Sequence, residues 1–334
     1  MKTILITGAE GFVGLHMMQH LKNKGFDVVG GVRNRARKLT LEKRFGKALV
    51  CEVGDAINVA RVIASVRPDA VIHLAGCSNP TDAAQEPLTA YQSIVSGTAN
   101  VLDGVRRTNP RARVLTISSC EVYGNAGASG GPIAETTPAA PTSTFGSLRA
   151  NAEEIAQTFF RSYHLNVVIA RPFHHIGPGQ SDGFYFASIA RQLVEWDEAS
   201  RGNELRVADL DCRRDVCHVQ DVVEAYEKLL FDGAAGTVYN VCSGQSLTCR
   251  EIIQSMMRVS GRNLTLKDAT PANPASGNGA SNMTTSASPA CLCGDNGRIR
   301  SQHGWQPKLT VQDAARDLVH SFQSSPTPAR VPAV

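Results

Sequence analysis

A chain of 334 residues is long for one minimal core and suits an α/β unit with an appended lobe. With 42% hydrophobic and 19% charged residues it reads as an ordinary globular protein, and a net charge of +4 is too small to imply nucleic acid while remaining compatible with a phosphate-bearing ligand. The apolar start is too short for a signal-peptide core, no run approaches a membrane span, and the nine scattered cysteines lack zinc-site spacing, so a cytoplasmic protein with reduced thiols and no metal is expected.

In chain order, TILIT (3–7) predicts a first strand and is followed by a helix from about Val13 to Lys24. DVVGGV (27–32) and ALVCEV (48–53) predict the second and third strands. Helices over 57–66, 88–107 and 146–163 lead into AVIHLAG (70–76), RVLTISS (113–119) and NVVIARP (166–172). Strands separated by helices in this way predict a Rossmann-type, doubly wound parallel sheet with right-handed crossovers, covered on both faces. From about 173 the pattern loosens into GPGQSDGF (177–184), a helix over 184–196, the apolar segment 204–210, a helix over 219–231 and a strand over 236–242. The expected division is a dinucleotide-binding core over 1–172, rejoined by elements around 210–245, and a smaller C-terminal lobe over 173–320. Residues 268–290, rich in Ala, Ser, Asn, Pro and Thr, predict a mobile loop, and 324–334 a disordered tail.

Directly after the first strand comes TGAEGFVG, which places Gly8, Gly11 and Gly14 between a strand and an amphipathic helix. That is where a dinucleotide fold needs glycine: Gly8 for a tight turn, Gly11 for close approach of a pyrophosphate, Gly14 for helix–strand packing. Phe12 and Val13 open the helix whose N-terminus would meet the phosphates. A ribose 2′-hydroxyl calls for an acid at the end of the second strand. VRNRARK (32–38) offers Arg33, Arg35 and Arg37 instead, which favours NADP(H) over NAD(H). Asp55, after the third strand, stands where it would reach the adenine amino group.

On these motifs, together with HLAG (73–76) and SSCEVYG (118–124), the chain resembles the extended short-chain dehydrogenase/reductases. RPFHHIGPGQ (171–180), DLDCRRDVCHVQDVVEAY (209–226) and YNVCSG (239–244) are most similar to GDP-4-keto-6-deoxy-mannose reductases and GDP-mannose 4,6-dehydratases. The resemblance implies NADP bound in the core, with Ala75 and Arg171 among its contacts. It implies a nucleotide-diphospho-sugar, GDP-linked, in the lobe, held by Arg214 and His218. It also implies Ser119 and Glu121 in the reaction, Cys77 beside the substrate, and a homodimer through the helices 88–107 and 146–163. Arg214 has an alternative role in an ion pair with Asp215 or Asp211.

The family's Tyr–x–x–x–Lys pair should fall at 145–149, where the residues are Phe145 and Arg149; no tyrosine in the chain has a lysine four residues later. Phe145 has no ionisable atom; Arg149 keeps a positive charge that can bind a ribose hydroxyl of the cofactor, but its guanidinium will not relay protons. His174 stands where relatives carry Asn, Ser93 likewise, and no basic, proline-bearing segment appears in 268–290. Two readings stay open. One is a nucleotide-sugar enzyme whose proton transfer passes to Ser119, Glu121 or His174. The other is a catalytically inactive relative that binds NADP or a nucleotide-sugar as a sensor or partner subunit.

Overall fold

The computed structural model describes residues 2–270 and 291–324. Strand and helix alternate as β1 (Thr3–Thr7), α1 (Phe12–Asn23), β2 (Asp27–Val32), α2 (Arg35–Phe45), β3 (Ala48–Val50), α3 (Ala56–Val66) and β4 (Ala70–His73). There follow α4 (Pro80–Gln85), α5 (Pro87–Tyr91), α6 (Gly97–Thr108), β5 (Arg113–Ile117), α7 (Thr144–Tyr163) and β6 (Asn166–Pro172). The remainder comprises β7 (His174–Ile176), α8 (Tyr185–Val194), α9 (Glu198–Arg201), β8 (Glu204–Val207), β9 (Arg213–His218), α10 (Val219–Asp232) and β10 (Val238–Val241). Last come β11 (Ser246–Thr248), α11 (Cys249–Ser260), β12 (Thr265–Asp268), β13 (Cys291–Leu292), α12 (Gly297–His303) and α13 (Val311–Ser324).

Seven parallel strands form the main sheet in the order β10-β6-β5-β4-β1-β2-β3. Their continuous apolar runs follow from cover on both faces. In β1 alone Ile4, Leu5 and Ile6 are all fully buried. One face packs Met17, Met18 and Leu21 of α1 with Val222 and Leu229 of α10; the other packs Val59 and Ile63 of α3 with Val101 and Val105 of α6. A separate core joins Phe186 and Leu193 of α8, Ile252 and Met256 of α11, and Leu318 of α13. Beside it β9 pairs with β7, β11 and β13, and β8 pairs with β12. The chain leaves β1 to one side for β2 and β3, then returns to β4 on the other. A crevice therefore opens at the carboxyl ends of β1 and β4, the switch point where α/β folds bind ligands.

Several expected elements are shorter or different. The third strand stops at Val50 and the fourth at His73, freeing residues 74–77 to cross above the glycine turn. The expected helix 88–107 is interrupted by a π-helical turn over Gln92–Ser96. The basic stretch after β2 opens a helix: the Asn34 side chain caps α2 by accepting from the Arg37 N–H, so Arg35 and Arg37 are helical. Only Leu41 and Phe45 of α2 are buried, which is why its periodicity is faint in the sequence. Of the loop expected over 268–290, Asp268 ends β12 and residues 271–290 lie outside the described residues; of the tail 324–334, Ser324 ends α13 and the rest lies outside them. Among the described residues no helix is long and apolar enough to cross a membrane.

Candidate active site

A cavity of about 690 Å³ occupies the crevice. The glycine turn forms one wall, where Gly8 has φ +70° and accepts from the Gly11 N–H at 3.0 Å. A Cβ on Gly8 would lie 2.7 Å from the Ala75 nitrogen, and one on Gly14 would lie 2.3 Å from the Gly8 carbonyl oxygen. Gly11 provides no side-chain cap, so the first N–H groups of α1 and the positive end of its dipole are left for a ligand where Gly11, Phe12 and Val13 line the cavity. A dinucleotide pyrophosphate fits this cradle. Beneath it Thr7 Oγ1 pairs with His73 Nδ1 at 2.8 Å, and burial, reinforced by the Arg149 charge, pushes His73 down to about 3. His73 is thus a neutral support.

Ser119, Glu121, Phe145 and Arg149 gather at the other end. The Ser119 hydroxyl accepts from the Glu121 N–H at 3.2 Å and starts a 3₁₀ turn, Cys120–Tyr123. Gly146 lets α7 approach that turn: a Cβ there would lie 2.6 Å from the Glu121 carbonyl oxygen. The carboxylate of Glu121 is buried and accepts from Ser143 Oγ at 3.2 Å. Burial raises its pKa, against the opposing effects of Ser143 and Arg214. Phe145 is buried, with the Arg149 guanidinium 5.0 Å from its ring centroid. Arg149 donates to the carbonyls of Ile117, the last residue of β5, at 2.9 Å and of Cys77, four residues past β4, at 2.8 Å. No carboxylate pairs with it among the described residues, its Nε has no partner, and burial brings its pKa down to about 10. Arg149 therefore ties two strand ends together rather than standing free beside a ribose.

Opposite lie His174 and Arg214. The His174 Nδ1 is buried without a hydrogen-bond partner, and burial, then the Arg214 charge, lowers its pKa to about 3. Arg214, on β9, presents a largely buried guanidinium to the cavity. Of its expected alternative partners, Asp215 accepts from the N–H groups of Ser243, Gly244 and Gly294, and Asp211 pairs with Arg250 at 3.0 Å.

Four expected contacts fall outside the cavity wall. Asp55 caps α3, its Oδ1 accepting from the N–H groups of Ile57 and Asn58. Arg171 is buried in a two-pronged pair with Glu153, at 2.8 and 2.6 Å, with its guanidinium 4.7 Å from the Tyr123 ring centroid. His218 caps α10 through Nδ1 and faces Asp317 at 3.3 Å. Cys77 contributes its carbonyl to Arg149 while its thiol donates to the Asn79 carbonyl. In all four an internal bond uses the group expected to meet a ligand. The cavity wall also includes Glu10, Glu52 and Tyr226, which sequence reasoning passed over. Glu10 lies inside the glycine motif itself.

The profile of the family described as GDP-mannose 4,6 dehydratase matches residues 5–318. The chain belongs to that family. It is 31% identical to GDP-6-deoxy-D-mannose reductase of Pseudomonas aeruginosa over 96% of this chain and 97% of that one. It is 25% identical to dTDP-glucose 4,6-dehydratase of Neisseria meningitidis serogroup B over 98% of this chain and 95% of that one. Among solved structures, that of RMD from Pseudomonas aeruginosa complexed with NADPH matches with a TM-score of 0.82 and 29% identity, covering 97% of this chain and 99% of that one. A UDP-glucose 4-epimerase of Thermus thermophilus in complex with NAD shares the fold at 23% identity and a TM-score of 0.82, over 97% of this chain and 99% of that one. The chain is thus a member of the nucleotide-sugar-modifying extended short-chain dehydrogenase/reductases.

Proposed function

We propose that this protein acts on a GDP-linked sugar at its 4-keto or 4-hydroxyl carbon, and that Glu121, Ser119 and His174 move protons in place of the missing Tyr–Lys pair. One observation carries this reading: those three side chains line the same cavity as Phe145 and Arg149, which occupy the pair's positions without a proton to transfer. Burial raises the Glu121 pKa, which suits a carboxyl that must both hold and release a proton. His174, kept neutral, offers Nδ1 as an acceptor or donor according to its tautomer. Arg214 suits the sugar diphosphate through its forked guanidinium. The glycine turn and the start of α1 would hold the dinucleotide, which when bound supplies or takes the hydride. At the 2′ position, Arg33 on the cavity wall and the NADPH of the Pseudomonas structure support the expected NADP(H), while carboxylates on that wall oppose it.

A second reading, an inactive nucleotide-sugar binder, draws support from Arg149, whose hydrogen bonds go to backbone carbonyls. Single-turnover absorbance of reduced dinucleotide, mixed with protein and a GDP-4-keto-6-deoxy-sugar, separates the two. Turnover that falls about 10²–10⁴-fold in Glu121→Gln supports the enzyme. Tight sugar binding with no absorbance change supports the binder. A homodimer through α5–α6 and α7 is also proposed, supported by Leu88 and Tyr91, which α5 leaves exposed.

A further inference from the structure

The adenosine end of the cavity is where the α/β fold seats the ribose, at the carboxyl end of β2. Glu10, Arg33 and Glu52 line it, with Cys51 and Val53. The Glu10 Oε1 accepts from the backbone N–H of Arg33 at 2.9 Å. That bond pins a carboxylate against the first residue after β2, the place from which an acid reads ribose hydroxyls in this fold. Its Oε2 is buried with no hydrogen-bond partner. A hydroxyl donor would satisfy that oxygen; a phosphate oxygen would bring like charge to it.

The cations expected to outweigh this charge are placed elsewhere. Arg35 and Arg37 are exposed on the first turn of α2 and take no part in the cavity wall. Arg33 remains, itself exposed and therefore well hydrated, against two carboxylates. The Cys51 thiol reports the local field: after burial, Glu52 and Glu10 are what raise its pKa, to about 12. A 2′-phosphate carries about −1.5 to −2 charges at neutral pH, so both carboxylates act against it.

We infer that Glu10 is a specificity-determining residue that turns the adenosine end against a 2′-phosphate, so that the chain takes NAD(H) in preference to NADP(H). The inference rests on the dinucleotide reading above and reverses the expectation drawn from the arginines alone. Exclusion here works by a repulsive group placed against the wrong ligand as well as by an acceptor for the right one.

The test is calorimetric titration of the full chain with NADH and NADPH, and with 5′-ADP and 2′,5′-ADP, which report the adenosine end alone. NADH is expected to bind at least about fivefold more tightly than NADPH, and 5′-ADP more tightly than 2′,5′-ADP. Glu10→Gln keeps the shape and removes the charge; it should tighten NADPH about tenfold while changing NADH by only a few-fold. Glu52→Gln, further along the wall, should move the ratio the same way by less, and serves where Glu10→Gln fails to fold. Wild-type protein that prefers NADPH, or a ratio unmoved by both substitutions, overturns the inference. If neither dinucleotide nor either fragment binds at millimolar concentration, the dinucleotide reading itself fails and the inference with it.

Discussion

At one end of the cavity, added Cβ atoms on Gly8 and Gly14 would strike backbone at 2.7 and 2.3 Å, and the start of α1 is left uncapped for an anion. At the other end, Phe145 and Arg149 keep a ring and a cation but no mobile proton, and Arg149 is committed to the carbonyls of Ile117 and Cys77. The first end obeys its motif because backbone clearance permits no alternative. The second departs from its motif because side chains lining a cavity are replaceable while the helix and strands beneath them stay put. Backbone clearance thus fixes the residues of the glycine turn, while at the other end Phe145 and Arg149 are held by packing and by the two carbonyl bonds of Arg149.

Three measurements would break or sharpen that contrast. Gly14→Ala is expected to act on folding and dinucleotide binding together. Its Cβ would meet the backbone of Gly8 and Ala9, which cannot rotate away, so a loss of about 3 kcal/mol or more is expected. Thermal unfolding and dinucleotide titration should fall together; a variant with unchanged melting and binding would show that the turn has slack.

Next is the pH dependence carried by His73. Its folded pKa, about 3, lies below the ordinary 6.5, so the unfolded chain takes up a proton that the buried ring refuses. Stability is therefore full above pH 6.5 and falls on acidification toward pH 3, by about 1.4 kcal/mol per pH unit from this residue. Urea unfolding across that window should show a shallower acid slope in His73→Gln than in the wild type. Equal slopes would mean that His73 is protonated in the fold.

The smallest effect is expected from restoring the missing pair. In Phe145→Tyr with Arg149→Lys, single-turnover reduction of a GDP-4-keto-6-deoxy-sugar should rise less than about tenfold. A lysine ammonium lacks the fork that now reaches two carbonyls, and a substrate displaced by ~1 Å can lose about 10²-fold in rate. A large gain over an inert wild type would mean simple decay of the ancestral pair.

Much of this was legible in the sequence, element by element. The apolar run of β1 and the glycine spacing after it announce the parallel sheet and its turn, because strand burial and backbone clearance are local demands. The absence of the Tyr–Lys pair is likewise plain from the tyrosines alone. What depended on distant partners was not legible. Arg171 and His218 sit in family motifs, yet Glu153 and Asp317, from α7 and α13, draw them inward. Asp55 follows β3 as expected and is claimed by the helix it caps.

The sequence by itself determined the fold class, the glycine turn after β1 and the absence of a Tyr–x–x–x–Lys pair, since each rests on residue type and spacing along the chain. Only the tertiary structure decided where the charges go. Arg33, Arg35 and Arg37 look alike in sequence, but Asn34 starts a helix between them and leaves one on the cavity wall. Glu10, silent as a letter inside the glycine motif, lines the cavity beside β2, where its Oε1 accepts from the Arg33 N–H. Electrostatic interactions depend on distance and burial, and those are settled by packing between segments far apart in the chain.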